Sequence, residues 1–249
     1  MSDAWWRTYF DDVFFDLHDS LFPPARSRRE VAGIRELLAL PVGARILDAP
    51  CGWGRHTELL AEAGMLAFGA DLSHDLLRRA PRTDAPLGAA RYAAADIRAL
   101  PFADAGFDAV INVFTSLGLF LDDAQDIAAL REARRVLRPG GALLLESMHR
   151  DDVIRSYAER DRWTLADGTE VRVRRRFDPV SGISHEKLRW RRGDTEGRKK
   201  HSLRLRTATE IDALLRAAGF EDIEYFGSWE GAEFHHEDES LIAVARRGH

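Results

Sequence analysis

Short apolar runs alternate along the chain with segments that repeat apolar residues every three to four positions. The apolar runs predict strands at 44–48, 65–71, 89–95, 107–114 and 142–146. The helical repeats predict helices at 27–40, 55–63 and 74–80, and one that Asp122 caps and that runs to Leu137 before Pro139-Gly140-Gly141. Strands that alternate with helices in this way predict a parallel sheet with right-handed crossovers.

After residue 150 the apolar period changes from about 3.6 to two. Apolar residues alternate there with arginines and lysines, and the apolar members are Val171, Val173, Leu188, Trp190, Leu203 and Leu205. This pattern predicts an inserted antiparallel β-sheet with one apolar and one basic face. Beyond it, Thr207 and Glu210 have capping-box spacing and predict a helix over 208–218. The last two strands are predicted at 221–229 and 240–246.

The changes of pattern divide the chain into three parts. Residues 1–43 hold an aromatic segment and a helix, 44–149 with 207–249 form an α/β core, and 150–206 are the inserted β subdomain. The aromatic segment includes Trp5, Trp6, Tyr9 and Phe10. Two interpretations of it stay open: a lid over a ligand cleft that excludes water, and a hydrophobic arm that docks on the core or a partner subunit.

Charge is distributed unevenly along the chain. The net charge of −5 gives no support to general nucleic-acid binding, yet residues 150–206 carry 17 Lys and Arg against 10 Asp and Glu. The basic face of the insertion therefore has three interpretations: a solvated surface, a homodimer contact, or a site for an anionic partner such as RNA. A single cysteine, Cys51, and the absence of an apolar leader or of about 20 consecutive apolar residues favour a cytoplasmic protein without a membrane span.

The run from Ile46 to Thr57 carries the most specific chemistry. Its strand ends in Asp48, and a loop containing Gly52 and Gly54 then opens a helix. A dinucleotide site would place a third glycine where Thr57 stands, and the Asp48 carboxylate would repel a pyrophosphate. A carboxylate at this strand end suits a ligand that carries an ammonium group, although Asp48 as a simple turn cap is the plain alternative.

Acidic residues also follow the next two strands. Asp71 ends the second strand, where a carboxylate can accept hydrogen bonds from both ribose hydroxyls. Asp96 and Ile97 follow the third strand, where an acid can accept from an adenine amino group and an apolar neighbour can pack on the ring. No set of residues has the spacing of metal ligands.

These motifs together resemble class I S-adenosylmethionine-dependent methyltransferases. The resemblance rests on Asp48-x-x-Cys51-Gly52-x-Gly54, Gly69-Ala70-Asp71, Ala95-Asp96-Ile97, Phe107-Asp108 and Leu137-Arg138-Pro139-Gly140-Gly141, in that order. The run 112–118 is similar to that of small-molecule N-methyltransferases, notably amino-sugar dimethyltransferases, which also carry an antiparallel insertion after strand five. The resemblance implies a Rossmann-like, seven-stranded, mostly parallel sheet with helices on both faces.

The resemblance also implies S-adenosylmethionine as cofactor and S-adenosylhomocysteine as product. Four residues would line the methionine end of the cofactor: Asp48, Ala49, Gly52 and Gly54. Asp71 and Leu72 would hold the ribose, Asp96 and Ile97 the adenine, and Asn112, Val113 and Phe114 would face the sulfonium.

The methyl acceptor is not specified by these motifs. His149 follows strand five and is the candidate base, with an exposed loop histidine as the plain alternative. His235 and His236 have two interpretations, contact with the acceptor or a solvated pair, and we favour the solvated pair. We expect methyl transfer to nitrogen or oxygen of a small molecule. The alternatives are an RNA or protein methyltransferase that uses the basic insertion, and a non-catalytic S-adenosylmethionine-binding protein.

Overall fold

A mixed sheet of seven strands organises the chain, and the computed structural model describes residues 4–81 and 88–249. The strand order is β10-β11-β5-β4-β1-β2-β3, and β11 runs in the direction opposite to that of the other six strands. The strands are β1 (Arg45–Asp48), β2 (Leu66–Asp71), β3 (Arg91–Ala94), β4 (Phe107–Asn112), β5 (Leu137–Met148), β10 (Glu221–Phe226) and β11 (Ser240–Arg246). The predicted fold class is therefore confirmed.

Helices cover both faces of this sheet because its strands are apolar on both sides. The helices are α1 (Trp6–Tyr9), α2 (Asp12–His18), α3 (Pro24–Leu37), α4 (Arg55–Glu62), α5 (His74–Arg79), α6 (Asp123–Val136), α7 (Arg150–Arg155) and α8 (Ala208–Ala217). One core lies between the sheet and α6 with α8, and the other between the sheet and α3 with α4. None of the helices in the described ranges is long and apolar enough to cross a membrane.

Local capping chemistry sets several of the predicted boundaries. Asp122 caps α6 through its side chain, Ser73 caps α5, and Thr207 with Glu210 forms the capping box of α8. Helix α3 begins at Pro24, three residues before the predicted start, because proline suits the first helical turn. It also ends earlier than predicted, and Ala39 just beyond it has a φ of +48°.

A second, antiparallel sheet follows α7. Its strands are β6 (Arg160–Thr164), β7 (Glu170–Asp178), β8 (Ile183–Arg192) and β9 (Thr195–Arg204), in that order. The sequence pattern indicated the last three strands but missed β6, in which Trp163 is the sole apolar residue. The inner face of this sheet packs Val171, Val173 and Leu188 against Leu17 of α2. The N-terminal segment therefore lies against the inserted sheet.

Candidate active site

The loop between β1 and α4 is held by the carboxylate of Asp48. This side chain is 2% exposed and accepts a 2.7 Å hydrogen bond from Thr57 Oγ1. Burial raises the pKa of Asp48 to about 7, against the lowering effect of the Thr57 hydrogen bond. Asp48 therefore contacts the first turn of α4, and a cationic ligand would favour its ionised form.

The two glycines of this loop serve different contacts. Gly52 has a φ of +55°, and a Cβ placed there would meet only Leu76 Cδ1, at 3.9 Å, among the described residues. Gly54 has a φ of +77°, and a Cβ there would collide with the Tyr92 hydroxyl. The Tyr92 hydroxyl donates to Glu58 Oε1 at 2.8 Å. Open space therefore lies beside Gly52, whereas the missing side chain of Gly54 makes room for Tyr92.

Asp71 joins the loops that follow β1 and β2. Its carboxylate is 8% exposed and accepts from Gly52 N and Ser73 N, each at 2.8 Å. Burial raises the pKa of Asp71, while these backbone hydrogen bonds act in the opposite direction. A carboxylate offers about four lone-pair sites, so two backbone donors leave capacity for hydroxyl groups of a ligand.

Arg98 contacts Asp96 in a way that the sequence interpretation missed. Its Nε and Nη2 donate to the two carboxylate oxygens of Asp96 at 2.9 and 2.5 Å, and this pairing lowers the pKa of Asp96. The Arg98 guanidinium also packs against the rings of Trp6 and Phe120, with 4.8 and 4.4 Å to their centroids. Asp96, which was expected to accept from the adenine amino group, is therefore already paired with Arg98. Its neighbour Ile97 lines a narrow cavity with Ala49 and Asn112.

The end of β4 is a turn of unusual backbone conformation. Phe114 and Thr115 have φ values of +72° and +51°, and Phe114 is 41% exposed. Non-glycine residues seldom adopt such angles, and they do so chiefly where neighbouring contacts force them. Asn112 Oδ1 accepts from Ser116 Oγ at 2.5 Å, which closes the turn from within.

Glu146 of β5 holds this turn in place. Its Oε2 accepts from Phe114 N at 2.7 Å, its Oε1 accepts from Ser240 Oγ at 2.8 Å, and its main-chain oxygen accepts from Thr115 N. Glu146 is 5% exposed, and burial raises its pKa. The sequence interpretation missed this residue, although an acid at the end of the run Leu143–Leu145 was a detectable signal.

His149 lies beside the same strand ends and is 1% exposed, so the alternative of an exposed loop histidine is wrong. Its Nε2 lies 2.5 Å from the carbonyl oxygen of Asp238, and its ring packs edge-on against Phe234. A carbonyl oxygen only accepts, so Nε2 carries a proton, and in a neutral ring the lone pair would then lie on Nδ1. His235 and His236 are exposed.

Aromatic side chains of the N-terminal segment cover the edge of the sheet where these residues lie. Phe22 packs edge-on against both Trp53 and Phe114, and Phe15 also contacts Trp53. Because Trp53 belongs to the β1–α4 loop and Phe114 to the turn after β4, Phe22 contacts both segments. Cys51 is buried in the same loop, and burial raises the pKa of its thiol well above the ordinary value.

Comparison with known proteins agrees with this architecture. A family model described as a methyltransferase domain matches residues 46–141. Demethylmenaquinone methyltransferase from Corynebacterium urealyticum is 36% identical over 141 residues, which make up 55% of this chain and 57% of that protein. The chain spans about half the length of the curated relatives it matches.

Solved structures extend the similarity over nearly the whole chain. The CcbJ methyltransferase from Streptomyces caelestis has a TM-score of 0.82 at 19% identity, covering 98% of this chain and 99% of that one. CalS10, an amino pentose methyltransferase from Micromonospora echinaspora, has a TM-score of 0.70 at 25% identity, covering 95% and 97% of the two chains. Residues 46–141 are therefore similar to a methyltransferase domain, and the chain has the Rossmann-like fold of S-adenosylmethionine-dependent methyltransferases.

Proposed function

We propose that this protein transfers a methyl group from S-adenosylmethionine to nitrogen or oxygen of a small-molecule acceptor. The observation that carries the proposal is the meeting of two buried carboxylates, Asp48 and Asp71, with an open glycine position at one edge of the sheet. In open α/β sheets, ligands bind at the carboxyl ends of the strands, which is where these side chains lie.

The fit to the cofactor rests on charge and space. S-adenosylmethionine supplies a methyl carbon that its sulfonium makes electrophilic. The Asp48 carboxylate is buried, so an ammonium group bound beside it would stabilise its negative charge. Gly52 leaves room for a ligand in the same loop. Asp71 retains acceptor capacity for ribose hydroxyls. A pyrophosphate would instead meet two buried carboxylates, which argues against a nicotinamide dinucleotide.

Residues at the ends of β4 and β5 would align the acceptor. The Asn112–Phe114 segment lies between the β1–α4 loop and His149, because β4 lies between β1 and β5, and Glu146 fixes its conformation. His149 Nδ1 is available to receive a proton from an acceptor nitrogen or oxygen, because the carbonyl of Asp238 engages only Nε2. Alignment of acceptor and methyl carbon supplies the larger part of the rate in this arrangement.

The small-molecule acceptor is supported by the names of related proteins. One curated relative is named for demethylmenaquinone, and a structural neighbour is described as acting on an amino pentose. The exposed ring of Phe114 and the half-exposed Met148 give the mouth of the site an apolar character. Small acceptors with an apolar portion are therefore the first to screen.

Two experiments test the proposal in sequence. Titration calorimetry should detect binding of S-adenosylmethionine and S-adenosylhomocysteine to the full chain, and no binding of NAD under the same conditions. Heat with NAD alone would contradict the cofactor assignment. A screen with methyl-labelled cofactor and a panel of amines, phenols and quinols then tests transfer, and binding without transfer to any acceptor would indicate a non-catalytic binding protein.

A further inference from the structure

The outer face of the inserted sheet carries two adjacent rows of cations that cross all four strands in register. The first row pairs Arg162, Arg172, Arg189 and Arg198, and the second pairs Arg160, Arg174, Lys187 and Lys200. We call these eight side chains the cationic band. All eight are exposed, and their regular placement follows from the period of two in the sequence.

Little within the described chain neutralises the cationic band. Only Arg172 of the eight forms an ion pair among the described residues, with Glu170 at 3.4 Å. Like charges directly opposite each other on neighbouring strands destabilise a sheet. The fold therefore carries an electrostatic cost here that an anionic partner would remove.

We propose that the cationic band binds the phosphate backbone of single-stranded RNA. Neighbouring strands are about 4.8 Å apart and residues i and i+2 about 6.8 Å apart, so the band measures roughly 14 by 7 Å. A linear polyanion laid across the strands can receive hydrogen bonds from arginines of both rows, whose forked donors match phosphate oxygens. Six of the eight members are arginines.

The surroundings of the band disfavour the other anionic occupants. Glu170 and Glu196 lie on either side of Arg191 in the next row, so an extended anionic membrane would meet acids as well as the band. A single RNA strand that follows the two rows of the band does not contact these acids. The band and the two rows beside it hold no aliphatic, Phe, Tyr or Trp side chain, whereas a folded acidic protein would need an apolar centre in its interface.

Because Phe, Tyr and Trp are absent from these rows, the proposed binding rests on phosphate charge and is independent of sequence. A second copy of the chain is also disfavoured, because two such faces would repel each other. The inner face of the sheet packs on α2, and the band therefore points away from the N-terminal segment that covers the candidate active site. RNA bound there is a tether for the protein and not its methyl acceptor.

The test is fluorescence anisotropy with a labelled oligouridylate and the full chain at several salt concentrations. Neutralisation of three to four phosphates predicts a slope of log affinity against log salt of about −2 to −3, hence a roughly 15- to 60-fold loss for a fourfold rise in salt. The Arg172→Glu/Arg198→Glu variant, which alternates the charges along the first row, should bind at least about tenfold more weakly and show a shallower slope.

A matched variant controls for net charge. Arg28→Glu/Arg131→Glu changes the charge of the chain equally at exposed positions outside the inserted sheet, and it should keep most of the affinity. The band variant should also melt at a temperature no lower than the unmodified chain, because opposite charges then face each other, so lost binding cannot be assigned to unfolding. Equal loss in both variants, or binding to phosphatidylserine vesicles without binding to the oligonucleotide, would overturn the proposal.

Discussion

Removal of the Glu146 side chain tests whether the β4 turn depends on a single buried carboxylate. In Glu146→Ala, the amide of Phe114 and the hydroxyl of Ser240 both lose their acceptor. In Glu146→Gln, the side-chain oxygen can still accept from Phe114 N, and the new amide group can donate to the Ser240 hydroxyl. The two variants therefore differ in hydrogen bonding, and both lack the charge.

The expected loss follows from these contacts. An unsatisfied buried donor costs about 1–3 kcal/mol, so two of them amount to about 2–6 kcal/mol. Solvent offsets part of this cost, because the hydrogen bonds from Phe114 N and Ser240 Oγ are only partly buried. We expect the free energy of unfolding to fall by about 2–4 kcal/mol in Glu146→Ala and by less than about 1.5 kcal/mol in Glu146→Gln.

Urea denaturation measures the free energies of unfolding. Titration calorimetry measures the affinity for S-adenosylhomocysteine, which indicates whether the turn keeps its conformation in the folded protein. Affinity should drop at least about tenfold in Glu146→Ala and recover in Glu146→Gln. Wild-type stability and affinity in the alanine variant would refute the idea that Glu146 holds the turn. Equal losses in both variants would indicate that its charge matters more than its hydrogen bonds.

Four further outcomes are expected. Because the pKa of Asp48 is about 7 and an ammonium ligand binds its ionised form, affinity for S-adenosylmethionine should fall up to about tenfold per pH unit below pH 7; calorimetry should find this dependence absent in Asp48→Asn. Asp71→Ala should weaken binding of S-adenosylhomocysteine by about 1–3 kcal/mol, and unchanged affinity would make this acid purely structural. Arg98→Ala should lower the free energy of unfolding in urea by about 1–2 kcal/mol, whereas exposed Arg78→Ala should change it by less than about 0.5 kcal/mol. His149→Ala should reduce kcat about 100-fold or more with cofactor affinity unchanged; a reduction of only a few-fold would indicate catalysis by alignment alone.

The sequence predicted those features that depend on neighbouring residues. Strand–helix alternation indicated the fold, and the spacing of Thr207 and Glu210 indicated a helix start that the structure confirms. Strand ends place Asp48 and Asp71 at one edge of the sheet, because parallel strands share their carboxyl ends.

Contacts between distant segments could not be predicted in this way. The packing of Tyr92 against Gly54 and the bond from Glu146 to Phe114 join residues about 30 to 40 positions apart along the chain. The pairing of Arg98 with Asp96 is local, but a charged side chain two residues away gives no periodic signal. The apolar pattern did not indicate strand β6, because this strand is almost entirely exposed and contains few apolar residues.

The short N-terminal segment is attached to both sheets at once. The Ser73 hydroxyl at the end of β2 donates to the carbonyl of Phe10, and Lys199 of β9 donates to the adjacent carbonyl of Tyr9 at 2.7 Å. A molecule that enters the cleft by displacing this segment must break anchors in the α/β core and in the inserted sheet together. The rate of amide hydrogen exchange along β9 should consequently rise when a ligand displaces the N-terminal segment. Strand β9 itself contributes none of the proposed ligand-binding residues.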